Sequence, residues 1–306
     1  MNIQRIIDIL RMENTTVRLY FTRKRGINYI SYSPTIGEDV QSDIKSHIVS
    51  YIEGFLKTDQ VGFSPLGYRE DTVEICNIEY ISNYTDVIDS YLEGNLNREM
   101  PEDIINKLNF YCLTIEFNED GVDKEIKFLR RVTKFKKLST KGMMGWIANN
   151  RFNKLDASLI GVDGLVDIVV DGNEVLILNH IALERIFSIS DQYSQKAQQT
   201  INSIRGLNRI DNFDQFEEDA LNDRRITRIL TKLLSEEDRL QRCFENFSNV
   251  IDIVEIFELN INIENVDGDE KIVYENKDQL MDIIRLVRDS YYKSIMNDRK
   301  GIDDSI

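Results

Sequence analysis

The stretch LVDIVVDGNEVLILN, residues 165–179, constrains the fold more than any other part of the chain. Two runs of β-branched and aliphatic residues flank Asp171-Gly172-Asn173, where Gly and Asn accept the positive φ that a tight turn imposes. Such a segment pairs with itself and seeds an antiparallel sheet. Two further hairpins are predicted, TVRLYFTRK with INYISYSP about Arg25-Gly26, and LNINIENVDGDEKIVYEN turning at Asp267-Gly268. Strands that pair locally, instead of alternating with crossover helices, predict an α+β fold of antiparallel hairpins packed with amphipathic helices.

Helical periodicity fills the intervals. Ile3, Ile6, Ile7 and Leu10 share one face of a first helix, and Val40, Ile44, Ile48, Ile52 and Phe55 line a second over about 38–57. NYTDVIDSYLEGNL reads as a short helix closed by Gly94, and Pro101 opens another, PEDIINKL. DTVEICNIEYI and YCLTIEF read as strands, and KEIKFLRRVTKFKKL as an extended segment with a basic face. Trp146 and Phe152 are placed on a helix. ALERIFSISDQYSQKAQQTINSI is predicted as one helix ending at Gly206, helical patterns cover most of 214–257, and a last helix buries Leu280, Ile283, Ile284, Val287 and Tyr291. The acidic turn Asn118–Asp123, where the charge changes sign, suggests two contacting domains, 1–123 and 124–306.

The 306 residues, 42% hydrophobic and 30% charged, suffice for a large core. No apolar run reaches the roughly 20 residues of a membrane-spanning helix, and the N-terminal pattern is amphipathic rather than that of a signal peptide. This predicts a cytoplasmic chain. Cys76, Cys112 and Cys243 are odd in number and widely separated, and read as core thiols rather than a disulfide framework. No GxGxxG or GxxxxGK[ST] motif offers a phosphate cradle, which argues against nucleotide-dependent enzymes. His47 reads as half-buried on an apolar helix face. His180 reads as a helix-start histidine near the surface carboxylate of Glu184 rather than as a metal ligand.

Charge is distributed unevenly along this acidic chain, whose net charge is −15. Between Lys124 and Asp156 there are ten basic residues and two acidic ones, so this segment carries +8 and the remainder −23. Lys127, Arg130, Arg131, Lys134, Lys136, Lys137 and Lys141, interleaved with Phe128, Phe135, Trp146 and Phe152, suit phosphate contacts on an apolar platform. A second reading makes the segment a docking surface for an acidic face of another subunit, in a protein-only scaffold. A third is a metal-dependent nuclease using Asp167 and Glu174, although Leu176 stands where such cores carry a lysine. No catalytic or metal-binding residue is assigned, and no cofactor is implied.

Residues 165–189, LVDIVVDGNEVLILNHIALERIFSI, and the terminal DQLMDIIRLVRDSYYKSIM, residues 278–296, resemble the KwaB family of the bacterial Kiwa anti-phage defence system. The likeness runs from about Lys124 to the C-terminus. It is carried by Asp167 in a strand, an acidic-Gly turn, Asn179 at a strand end, and Glu184 and Phe187 in Glu-x-x-Phe, followed by Asp289 and Ser294 in the last helix. Leu183 stands where an aromatic commonly precedes the Glu, and the tail lacks a clear Thr and Tyr. The resemblance implies structural roles for these positions and a DNA-binding, non-enzymatic effector of phage defence. It also implies recruitment to the inner membrane by the multi-spanning protein KwaA, while the N-terminal domain, 1–123, which the likeness does not reach, is expected to carry self-association or partner contacts.

Overall fold

The computed structural model describes residues 1–26, 28–65, 71–97, 99–132, 145–148, 151–154, 160–234, 244, 247–294 and 297–303. The chain forms two compact units, the first running essentially from Met1 to Ile189 and the second from Ser190 onward. The α+β class expected from the hairpin signals is the one observed.

The first unit is built on an eight-stranded sheet ordered β2-β1-β5-β6-β9-β10-β4-β3. Its strands are β1 (Thr16–Arg25), β2 (Asn28–Tyr32), β3 (Asp59–Gly62), β4 (Thr72–Asn77), β5 (Phe110–Glu119), β6 (Val122–Arg131), β9 (Ile168–Asp171) and β10 (Glu174–Ile177). All neighbours are antiparallel except β3 and β4. Strand alternation sends Val17, Leu19, Leu113, Ile115, Ile126, Phe128, Val169 and Leu176 to one face. There they share a core with Ile3, Ile6 and Ile7 of α1 (Ile3–Leu10) and Ile44, Ile48 and Ile52 of α2 (Glu38–Ile52). Each such fully buried aliphatic is worth about 1.5–3 kcal/mol. α3 is Tyr84–Asp89, and α4 (His180–Phe187) packs against β6.

The turn at 118–123 joins β5 to β6, adjacent strands of one sheet, so the division of the chain falls near Ile189 and not at 123. A change in charge marked a turn there because turn tips are solvated. β7 (Gly145–Ala148) and β8 (Arg151–Lys154) pair antiparallel, so Trp146 and Phe152 lie on strands and not on a helix. PEDIINKL contains a 3-10 segment, Glu102–Lys107.

In the second unit, α5 (Ile189–Gly206), α6 (Phe213–Asn222), α7 (Arg224–Leu233), α8 (Phe247–Phe257) and α9 (Leu280–Val287) accompany a three-stranded sheet. Its order is β11-β13-β12, with β11 (Ile210–Asp211), β12 (Asn262–Val266) and β13 (Asp269–Val273). Ile201, Ile204, Phe216, Leu230, Ile272, Tyr274 and Ile283 form its core. The helix predicted to run unbroken from Ala182 to Gly206 is interrupted at Ser188, whose φ of 53° places it in the left-handed region. Tyr291 is buried as expected, but on β14 (Tyr291–Lys293), paired with β15 (Lys300–Ile302), and Asp289 and Ser294 lie beyond the last helix.

Candidate functional site

The open end of the β9–β10 hairpin carries a buried carboxylate that is hydrogen-bonded through both oxygens. Asp167 is 1% exposed. Its N–H donates to the carbonyl of Leu129 at 2.9 Å, and its carbonyl accepts from the amides of Leu178 and Asn179 at 2.9 and 3.0 Å. The side chain is equally occupied. Oδ1 accepts from Arg130 Nη1 at 2.7 Å and Asn179 Nδ2 at 3.0 Å, and Oδ2 from the Arg131 backbone N–H at 2.8 Å.

Arg130 extends this knot to Asp163. Its Nε and Nη2 reach Asp163 Oδ1 and Oδ2, each at 3.1 Å, a bidentate fork that fits a carboxylate. The hydroxyl of buried Tyr111 lies 2.9 Å from the Asp163 carbonyl and 3.0 Å from its Oδ1. Burial works against charge here, yet the Asp163 and Asp167 carboxylates outweigh it and raise the Arg130 pKa. Burial likewise opposes ionisation of Asp163, and Arg130 and Tyr111 reverse that and hold its pKa below the usual carboxylate range. Gly164 follows because the chain runs against α2: a Cβ there would sit 2.6 Å from His47 Cβ. His47 itself is exposed rather than half-buried as expected.

Asn179 passes the constraint on. Its Oδ1 accepts from the Ala182 amide at 3.1 Å, which caps α4. The helix then presents His180, Glu184 and Phe187. His180 Nδ1 lies 2.7 Å from Oε2 of Glu74, a buried acid on β4, and Nε2 lies 3.5 Å from Glu184 Oε1, a charge contact too long for a good hydrogen bond. Burial alone would depress the imidazole pKa, but the carboxylates of Glu184 and Glu74 raise it to about 9. Phe63 stacks on the ring with centroids 5.5 Å apart. At the far end the Phe187 carbonyl accepts from Asn83 Nδ2 at 2.8 Å, and the Ile186 carbonyl from the Tyr29 hydroxyl at 2.9 Å. Sequence reading missed Glu74. Its only signal was an acid between Val73 and Ile75 in a strand.

The basic residues divide in two. Lys124 pairs with Glu119 at 2.6 Å, buried Lys127 pairs with Glu125, and Arg130 is consumed by Asp163 and Asp167. The expectation that Lys127 and Arg130 meet phosphate is therefore corrected, since carboxylates of the same chain already neutralise them. Phe128 is core rather than platform.

Arg131 differs. Its main chain is held by Asp167, but its half-buried side chain faces the exposed Arg185 of α4. Burial, and then the positive charge of Arg185, lower the Arg131 pKa. Lys24 lies on the same sheet face as Arg131, 5.8 Å over the Tyr29 ring. The register Thr22–Phe110–Arg131 sets these cations two strands apart, about 10 Å. Lys24, Arg131 and Arg185 have no ion-pair partner among the described residues. Lys134, Phe135, Lys136, Lys137, Lys141 and Cys243 lie outside the described residues, as do the side chains of Trp146 and Phe152.

The two acids of the nuclease reading are not brought together. Glu174 pairs with Asp171 at the turn end of the hairpin and stands 3.6 Å from the Met1 amine, whereas Asp167 lies four residues away, about 13 Å along the strand. Among the described residues no three His, Cys, Asp or Glu side chains group as a metal site. Burial raises the Cys112 thiol to about 11, and the half-buried Cys76 to about 12.

The family model described as Kiwa protein KwaB-like matches residues 107–297. The chain belongs to that family. Membership places this KwaB-like chain in Kiwa anti-phage defence. The match takes in β5, β6, the Asp167 knot, α4 and nearly all of the second unit, and leaves out Glu74. No curated protein and no solved structure matches the chain. No helix of the described residues is long and apolar enough to cross a membrane.

Proposed function

We propose that this KwaB-like chain is a DNA-binding component of Kiwa defence that acts by occupancy rather than by chemistry on its ligand. The observation that carries the reading is the sheet face on which Lys24, Arg131 and Arg185 gather with no side-chain ion pair among the described residues, although Asp167 holds the Arg131 main chain. Holding like charges together costs free energy in the isolated chain, and a polyphosphate relieves that repulsion. In the sequence Lys134, Lys136, Lys137 and Lys141 follow Arg131 within ten positions, and we assign them to the same phosphate-binding role. Lys127 and Arg130 are withdrawn from it.

The resemblance to the family supports one further part of the proposal, recruitment to the inner membrane by the multi-spanning protein KwaA. We assign self-association to the N-terminal part of the chain, most of which lies outside the family match. A DNA-shift titration at two salt concentrations tests the core of the reading. Binding should weaken with salt, and Arg131→Glu with Arg185→Glu should weaken it further and flatten the salt slope by about 0.9 for each phosphate no longer engaged. No shift at either salt concentration would leave a scaffold that engages protein only, and a shift indifferent to both the charges and the salt would remove these cations from the DNA surface.

A further inference from the structure

We propose that α7, in the second unit, is a further phosphate-contacting surface with Arg224 and Arg225 as its leading contacts; this inference rests on the DNA-binding reading above and adds a separate site to it. Six of the ten residues of α7 are buried: Ile226, Thr227, Ile229, Leu230, Thr231 and Leu233. The other four are Arg224, Arg225, Arg228 and Lys232. Every position that this helix leaves outside the core is thus a cation, in a chain whose net charge is −15.

The side that faces outward is fixed. Thr231 Oγ1 donates to the Tyr193 carbonyl at 3.0 Å and Thr200 Oγ1 to the Leu230 carbonyl at 2.7 Å, both buried bonds. At the start of the helix, Asp223 Oδ1 accepts from the Arg225 and Ile226 amides at 2.9 and 3.2 Å. Rolling α7 would strand the buried hydroxyls, so its cationic side stays outward. Arg224, Arg228 and Lys232 recur at every fourth residue, which sets them in one row with steps of about 6 Å. Arg224 and Arg225 are exposed and form no ion pair among the described residues. Three of the four acids of α6 are engaged elsewhere, Asp214 and Glu217 on Arg205, and Asp219 on the Tyr274 hydroxyl at 2.7 Å.

Within the helix this charge is unfavourable. Like charges four residues apart destabilise a helix, and cations in its first turn oppose the macrodipole. A polyanion offsets both costs. The apolar side of α7 is consumed by the core, so the outward side offers charge without apolar area. Protein interfaces deplete charge at their centres, whereas DNA interfaces are polar and strongly cationic. A row of about 12 Å spans roughly three to four phosphates of one strand. Three of its four cations are arginines, whose planar forks meet phosphate oxygens in pairs.

The macrodipole lets one substitution separate binding from stability. Arg224→Glu with Arg225→Glu puts acids where a helix start favours them, so the thermal midpoint should stay at the wild-type value or rise. DNA binding should move the other way. Fluorescence anisotropy of a short labelled duplex, with the full chain at two salt concentrations, should show affinity about tenfold lower and a salt slope flattened by about 0.9 for each phosphate released. Arg224→Lys with Arg225→Lys keeps the charge, and should lose less affinity at the wild-type slope.

Wild-type affinity and slope in the Glu pair overturn the proposal. A Glu pair that keeps its DNA affinity but no longer binds a labelled poly-glutamate probe assigns α7 to an acidic protein, and overturns it as well. Should the Glu pair not fold, Arg224→Gln with Arg225→Gln decides. A loss of about threefold with a flattened slope supports the proposal, and no loss overturns it. A wild-type chain that does not bind DNA overturns both this inference and the reading beneath it. A wild type that binds, weakens on Arg131→Glu with Arg185→Glu and ignores the changes in α7 overturns this one alone.

Discussion

Asn179 gives its side-chain amide to the buried Asp167 carboxylate at 3.0 Å and takes the Ala182 amide at 3.1 Å with the oxygen of the same group. One side chain thus joins the sheet knot to the start of α4. Through it, the positions that resemble the KwaB pattern become a single mechanical series: Asp167 orients Asn179, Asn179 starts α4, and α4 carries Glu184 and Phe187.

Asp167→Ala removes three hydrogen bonds and leaves Arg130 without its buried partner. We expect a stability loss of about 3–5 kcal/mol, the usual cost of breaking a buried pair from one side. Urea unfolding followed by circular dichroism measures it, and a loss below ~1 kcal/mol would show that the knot bears no weight.

Asn179 offers a sharper comparison. Asn179→Ala should cost about 1–2 kcal/mol through the missing helix cap. Asn179→Asp keeps a capping oxygen, yet sets a second carboxylate against Asp167, so it should be no better than Ala despite being the closer isostere. Thermal unfolding of both variants at neutral pH separates these effects.

His180 makes stability depend on pH in a stated direction. Its folded pKa of about 9 lies above the ordinary imidazole value of 6.5, so the native state binds the proton more tightly. The stabilisation is complete below about pH 6.5 and is lost as pH rises through about 9. Denaturant midpoints from pH 6 to 10 should fall across that window, and Glu74→Gln should reduce the fall by removing one of the carboxylates that hold the proton.

Gly164 is required by close packing rather than by conformation. In Gly164→Ala the new methyl meets His47 Cβ at 2.6 Å and His47 main-chain atoms at 3.3 Å. The cost should be about 1–3 kcal/mol. His47→Ala should not rescue it, because the offending atoms survive that change; a double variant restored to the wild-type midpoint would disprove the clash.

Lys127 separates basic composition from basic surface. Paired with Glu125 and buried, it should be replaceable by Met with DNA affinity and salt slope unchanged, unlike Arg131 or Arg185. An anisotropy titration across salt concentrations checks this.

Much of the architecture is legible in the residues alone. The turns at Gly172 and Gly268, the strand at 110–117 and the faces of α1, α2 and α9 follow from residue type and spacing. Each is encoded within a dozen neighbouring positions, where side-chain periodicity reports burial directly. The resemblance to the KwaB family likewise rests on one contiguous stretch, LVDIVVDGNEVLILNHIALERIFSI, that the family model also spans.

Tertiary structure alone decided what the charged groups do. Arg130 and Lys127 counted toward a basic segment in the sequence, but the sheet order β5-β6-β9 delivers Asp163 and Asp167 to Arg130, and a neighbouring acid takes Lys127. Glu74 meets His180 from 106 positions away because β4 enters beside β10. Hydrophobic periodicity is a local property of the chain, whereas whether a charge is spent or free depends on which distant carboxylate the strand order places within reach, and no spacing along the sequence encodes that.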